Sequence, residues 1–148
     1  SIFQDCVAVR LKPGELLRES LMQLVKEQGL SSAFVISCVG SLTQARLRYA
    51  TSSDGSGTNP SEVLQRHMEI VSLVGTISQG GQSCHLHICL SDEHGRAIGG
   101  HLLGDDIVYT TAEVVLGCHA GLVFTREPDP ATAFDELVVT AAPALKPK

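Results

Sequence analysis

"SCHLHICLSDEHGRAIGGHLLG", residues 83–104, holds four of the chain's six histidines and a hairpin whose register can be counted. Side chains alternate along a strand, so His85 and His87 share one face. The turn fits a three-residue loop of Glu93, His94 and Gly95, a type I turn closed by a left-handed glycine and a G1 bulge. That loop sets Asp92 across from Arg96, an opposite-charge pair. Counting outward, His87 falls opposite His101, and His85 opposite Leu103. Directly opposed Cβ atoms lie about 4.5–5.5 Å apart, so three imidazoles converge on one face. A slip of one residue, for which Gly99-Gly100 offers a place, would send His101 to the other face.

The same count decides the chemistry. Three neutral imidazoles with an open position form a known ligand set for Zn²⁺, and they suit Fe, Ni and Cu as well. The other reading is a patch of half-buried histidines that hydrogen-bond one another, water or an interface. His94 belongs to the turn, and His67 and His119 lack partners at useful spacing.

Outward from the hairpin, the rest of the chain reads as strands around one helix. "VAVRL" (7–11) alternates. "KPGELLRESLMQLVKEQGL" (12–30) carries Leu17, Leu21, Leu24 and Val25 at helical spacing. Pro13 stands near its start, where a missing N–H costs nothing. Gly29 follows as a C′ residue. "SAFVISCVG" (32–40) reads as a buried strand and "QARLRYA" (44–50) as a second. "TSSDGSGTNPS" (51–61) is a flexible loop within the domain. "HMEIVSLVGTI" (67–77), "DIVYTTAEVVL" (106–116), "LVFTRE" (122–127) and "FDELVVT" (134–140) complete the strands. The order predicts an α+β fold, a largely antiparallel sheet with one principal helix on a face.

At 148 residues one domain is expected, and 43% hydrophobic residues suffice for a core. The aromatic content is 4%, so that core rests on Val, Leu, Ile and Ala. No apolar run reaches the ~20 residues of a membrane span. No basic and apolar leader opens the chain, which reads as lacking a signal peptide. Five cysteines, an odd number without C-x-x-C spacing, point to a reducing, cytoplasmic setting and to thiols used as small hydrophobes. Net charge is −5, with "RLR" at 46–48 the densest basic cluster, so direct DNA binding by this chain alone is not expected.

One further residue invites attention. Glu113 sits inside the apolar strand "TTAEVVL", where a buried carboxylate needs a partner. It is a candidate general base for a metal-bound water, or a hydrogen-bond partner of a ligand histidine. Alternation equally allows it to face solvent. The "QGGQ" and "IGGHLLG" stretches match no phosphate-cradling loop and read as turn and bulge. Cys89 shares the parity of the histidines, whereas Cys84 points the other way.

From Val7 to Val139 the pattern resembles the PPC (or PCC) domain, the plants-and-prokaryotes conserved family. The resemblance is carried by "LKPGELLRESLMQLVKEQGLSSAFVISCVGSLTQARLRYA", "MEIVSLVGTIS", "CHLHICLSDEHGRAIGGHLLG", "IVYTTAEVVL" and "FDELVV". The match gives a core of 7–139 within a single domain over residues 1–148, whose composition also gives the flexible loop 51–61 and a frayed tail at 141–148. The resemblance implies a curved antiparallel sheet, assembly as a homotrimer, and a metal, zinc first, at His85, His87 and His101. Plant members join this domain to AT-hooks and use it for oligomerisation, nuclear targeting and partner contact. This chain has no Arg-Gly-Arg-Pro core. Two functions are therefore expected. One is a homotrimeric binding module with a tri-histidine metal site, contacting proteins or a small ligand as part of DNA-associated or regulatory complexes, in the cytoplasm or in a eukaryotic nucleus. The other is a metal-dependent hydrolase or lyase acting on a small molecule at the same histidines, with Glu113 moving a proton.

Overall fold

The computed structural model describes residues 5–143. Strand β1 (Asp5–Leu11) leads to helix α1 (Leu17–Glu27), then to β2 (Ala33–Arg48) and β3 (Ser61–Ser78). A single 3-10 turn (Gln79–Gly81) precedes β4 (Ser83–Ser91), β5 (Ala97–Cys118), β6 (Leu122–Asp129) and β7 (Phe134–Ala141). The fold is thus a mostly antiparallel sheet with one helix, as the sequence predicts. Of the expected frayed tail, residues 144–148 lie outside the described residues.

The main sheet runs β1-β5-β2-β3-β4, and β4 also pairs with β5. Strands β2, β3, β4 and β5 therefore form a closed ring, with β4 joined to β5 over His87–Ser91. Leucine, isoleucine and valine fill its inside: Leu42, Leu47, Leu86, Leu90, Leu102 and Val108 are all at most 1% exposed. Alternation fixes the outside. In β4 the buried residues are Leu86, Ile88 and Leu90, so His85 and His87 point away from the core.

Several expected boundaries move. The strand expected from 67 begins at Ser61, at the end of the expected loop 51–61. The stretches at 32–40 and 44–50 form one strand, bent by register shifts at Gly40/Leu42 and Leu42/Gln44. Likewise the strand expected from 106 begins at Ala97 and continues through Gly104 (φ +124°) and Asp105 (φ +52°). Local sequence shows these irregular points as strand ends. Pairing on both sides carries the ladder across them.

The helix buries Leu17, Leu21 and Val25 and partly buries Leu24. It starts four residues after Pro13, not beside it. Its N-cap, Leu16, offers no side-chain cap. Asp106 supplies one from β5: its Oδ2 accepts the Arg18 N–H at 2.8 Å. The C-terminus ends as expected at Gly29 (φ +62°), with Leu30 N–H to Val25 C=O at 3.1 Å and Gly29 N–H to Lys26 C=O at 3.2 Å. These two bonds make a Schellman motif.

All five cysteines are free thiols. Cys118 is buried and Cys38, Cys84 and Cys89 are half-buried, but Cys6 is exposed and departs from the small-hydrophobe reading. Burial pushes the Cys38 thiol up to about 11, which keeps it protonated. Among the described residues no helix is long and apolar enough to cross a membrane.

Candidate metal centre

The hairpin folds in the register counted from sequence. Ser91 pairs with Ala97, Cys89 with Gly99 and His87 with His101, without a slip at the paired glycines. Gly95 takes φ +73°, and Asp92 N–H bonds to Arg96 C=O at 3.0 Å. The Asp92 carboxylate then accepts the His94 and Arg96 N–H groups and the Arg96 Nε. The turn is pinned by its first residue.

Beyond His87 the count stops applying. The β4–β5 pairing ends at His87↔His101, and His85 pairs with Thr76 of β3. From His101 onward β5 pairs with β2, His101 itself lying opposite Arg48. His85 still meets the other two, because it shares the outer face of β4. Ring centroids are 5.0 Å apart for His85–His87, 5.1 Å for His85–His101 and 5.5 Å for His87–His101. The two Nε2 atoms of His85 and His87 stand 3.1 Å apart. One ligand atom from each of the three residues lies within 4.8 Å of the others.

His85 and His101 are suited to a cation in their protonation as well as in their placement. Burial, then the charges of Arg48 and the neighbouring histidines, hold His101 down at about 4. Burial and His87 likewise lower His85. A ring that stays neutral at pH 7 keeps a lone pair for a metal. The donor set therefore fits a divalent ion bound by nitrogen, through His85, His87 and His101.

Three charged residues that sequence reasoning did not single out surround the rings. Arg48 places Nη2 3.4 Å from His101 Nδ1. Arg126, from β6, reaches back to donate to Thr76 Oγ1 at 3.1 Å and lines the same recess as His85. Glu136, from β7, lines it too, and its Oε1 accepts the Thr132 hydroxyl at 2.9 Å. The only hint in sequence was the outward parity of Arg48 within "RLR"; nothing local ties residue 126 or 136 to residue 85.

Glu113 is not brought to this centre. It is exposed on β5, opposite Arg10 of β1 and Val39 of β2, and lines a separate groove with Ala8, Ser37 and Val115. The alternation that the sequence allowed is the one realised. The remaining histidines have ordinary surroundings. His67 stacks on Tyr109 with centroids 4.0 Å apart, His94 faces Glu93 at 3.4 Å, and His119 Nδ1 accepts the Gly121 N–H.

Residues 3–119 match the model of the Plants and Prokaryotes Conserved (PCC) domain. The chain belongs to that family. Two Synechococcus proteins, each named bifunctional protein GlmU, are 40% and 42% identical to it over 129 residues, 87% of the chain. The match spans only about a fifth of those proteins, 20% and 19% of their lengths. Among solved structures, a hypothetical protein from Salmonella is 33% identical with a TM-score of 0.85, over 95% of this chain and 96% of that one. A metal-containing protein from Archaeoglobus fulgidus is 24% identical with a TM-score of 0.78, over 93% and 95%. The names of two further neighbours, from Bacteroides thetaiotaomicron and Ralstonia eutropha, refer to DNA binding. At 21% and 24% identity that likeness shows the PCC fold alone.

Proposed function

We propose that this PCC domain is a homotrimeric binding module built around a tri-histidine zinc centre. The observation that carries the reading is the convergence of His85, His87 and His101 within 4.8 Å on the outside of a rigid ring of strands. Strand-borne ligands hold their geometry better than loop-borne ones. Zinc is preferred among divalent ions because it is redox-inert and takes neutral imidazoles with an open fourth position. The name of the Archaeoglobus neighbour as metal-containing agrees with this.

Assembly is supported by an uncovered apolar strip. Ile36 and Val39 on β2 are 49% and 57% exposed, and Val71 and Val74 on β3 are 58% and 56% exposed. These stretches of β2 and β3 lie between the pairs Phe34↔Thr76 and Ser41↔Glu69. Four exposed aliphatic side chains on neighbouring strands support a surface that is covered on assembly. The net charge of −5 argues against duplex DNA as the ligand of this chain alone.

The test is metal content per subunit, measured together with molar mass in solution, on untagged protein. About one zinc per chain in a particle of three chains supports the proposal. Loss of zinc in both His87→Ala and His101→Ala, with the particle intact, assigns the ligands. No metal after incubation with Zn²⁺, Fe²⁺ or Ni²⁺ overturns the metal centre.

A further inference from the structure

The centre is flanked by two guanidinium groups that have no acidic partner among the described residues. The described residues contain four ion pairs, which occupy Arg18, Arg46, His94 and Arg96. Neither Arg48 nor Arg126 has a carboxylate oxygen within 4.0 Å, although both are half-buried. The Arg126 Nε is shielded from solvent and has no hydrogen-bond partner. Both side chains line one recess of about 270 Å³ together with His85 and His101. Asp135 and Glu136 line it too, beyond 4.0 Å of either guanidinium, and the Phe134 ring centroid lies 5.9 Å from the Arg48 guanidinium carbon. A half-buried guanidinium without a carboxylate partner keeps its fork of donors available for an anion, which it can hold by charge-assisted, bidentate hydrogen bonds.

The contact between Arg48 and His101 has a consequence for the loaded centre. Arginine can only donate, so the 3.4 Å approach uses the lone pair of His101 Nδ1. An ion on Nδ1 takes that lone pair away. An ion on Nε2 requires the proton to sit on Nδ1, and two donors then face each other. With either nitrogen as ligand, Arg48 must leave the ring and turn its fork elsewhere.

The geometry points to Arg48 and Arg126 as an anion clamp beside the metal. The ligand class is a small molecule with an acid group, carboxylate or phosphate, held by the two guanidiniums while a second oxygen reaches the open metal position. The clamp's partnership with the ion rests on the zinc reading above. The clamp itself rests on the unpaired arginines. A recess of this size admits a molecule of metabolite size and is too small for a folded partner.

The test uses inorganic phosphate and malonate, each titrated calorimetrically into the intact chain, zinc-loaded and metal-free. Comparison is with Arg48→Met and Arg126→Met, whose zinc content and melting temperature are checked first. The expected result is saturable binding of at least one anion, weakened roughly tenfold or more in each variant while zinc stays bound. Preference between phosphate and malonate identifies the acid group. Zinc bound but neither anion bound, or anion binding equal in wild type and both variants, overturns the clamp and leaves the zinc reading standing. Zinc absent with arginine-dependent anion binding retained overturns the zinc reading and supports the clamp.

Discussion

His87 and His101 face each other across the β4–β5 ladder, their ring centroids 5.5 Å apart, with the pair anchored by the Asp92–Arg96 turn only five residues away. A short hairpin thus fixes two rings of the candidate centre rigidly, and the third, His85, comes from the same strand as His87. The centre is preformed, so removing one ring should remove the metal without loosening the fold.

His87 is exposed, and its loss opens no cavity. His87→Ala is expected to change unfolding free energy by no more than about 0.5 kcal/mol while abolishing stoichiometric zinc binding. Denaturant unfolding and metal analysis on the same sample check both halves. Zinc retained at one per chain by this variant would remove His87 from the ligand set.

Histidine titration followed by NMR on metal-free protein should place His101 near 4, held down first by burial and then by Arg48. The folded chain resists this proton more than the unfolded chain, whose histidine titrates near 6.5. Stability from this group is therefore complete above about pH 6.5 and is lost as pH falls through about 4. Arg48→Met should move the His101 titration upward. A ring that titrates at 6.5 in both proteins contradicts the assignment.

Asp106 gives the opposite slope. It is buried beside Glu19, and burial followed by the charge of Glu19 pushes its carboxyl above the usual carboxylate range. The folded chain holds this proton more tightly than the unfolded chain does. Its contribution is thus most favourable below about pH 4 and declines as pH rises above that. Asp106→Asn keeps an oxygen for the Arg18 N–H and cannot ionise, so its stability should vary less between pH 4.5 and 7.5. Equal slopes for the two proteins in urea titrations would sink this account.

Gly75 lies beneath the centre on β3, with φ +136°. A Cβ added there would stand 1.9 Å from the carbonyl oxygen of His85. Gly75→Ala must push β4 away or break its pairing, at a cost of about 2 kcal/mol or more. The expected signature is a lowered melting temperature together with weakened zinc binding. Normal zinc affinity in a destabilised variant would show that His85 tolerates the shift.

Local sequence carried the elements that obey one period or one turn rule. The helix stripe of Leu17, Leu21 and Val25, the Gly29 terminus and the Asp92–Arg96 loop are set by contacts within a few residues. So was the His87–His101 pair, because a three-residue loop leaves one register. The resemblance of the chain to its family added the overall arrangement. Boundaries failed where bulges join two strands, at Gly40–Gln44 and Gly104–Asp105, because pairing with distant strands overrides the local break.

Tertiary structure alone decided the rest of the centre. The switch of β5 from β4 to β2 at His101 brings Arg48 to that ring, and the β6–β7 hairpin carries Arg126 and Glu136 over His85. These approaches span 50 residues or more along the chain for Arg48–His101 and Arg126–Thr76, with separations of 53 and 50. The same long-range pairing turned Glu113 outward, away from the histidines. A hairpin's register follows from its own loop, whereas the charges around it depend on which distant strands close the ring.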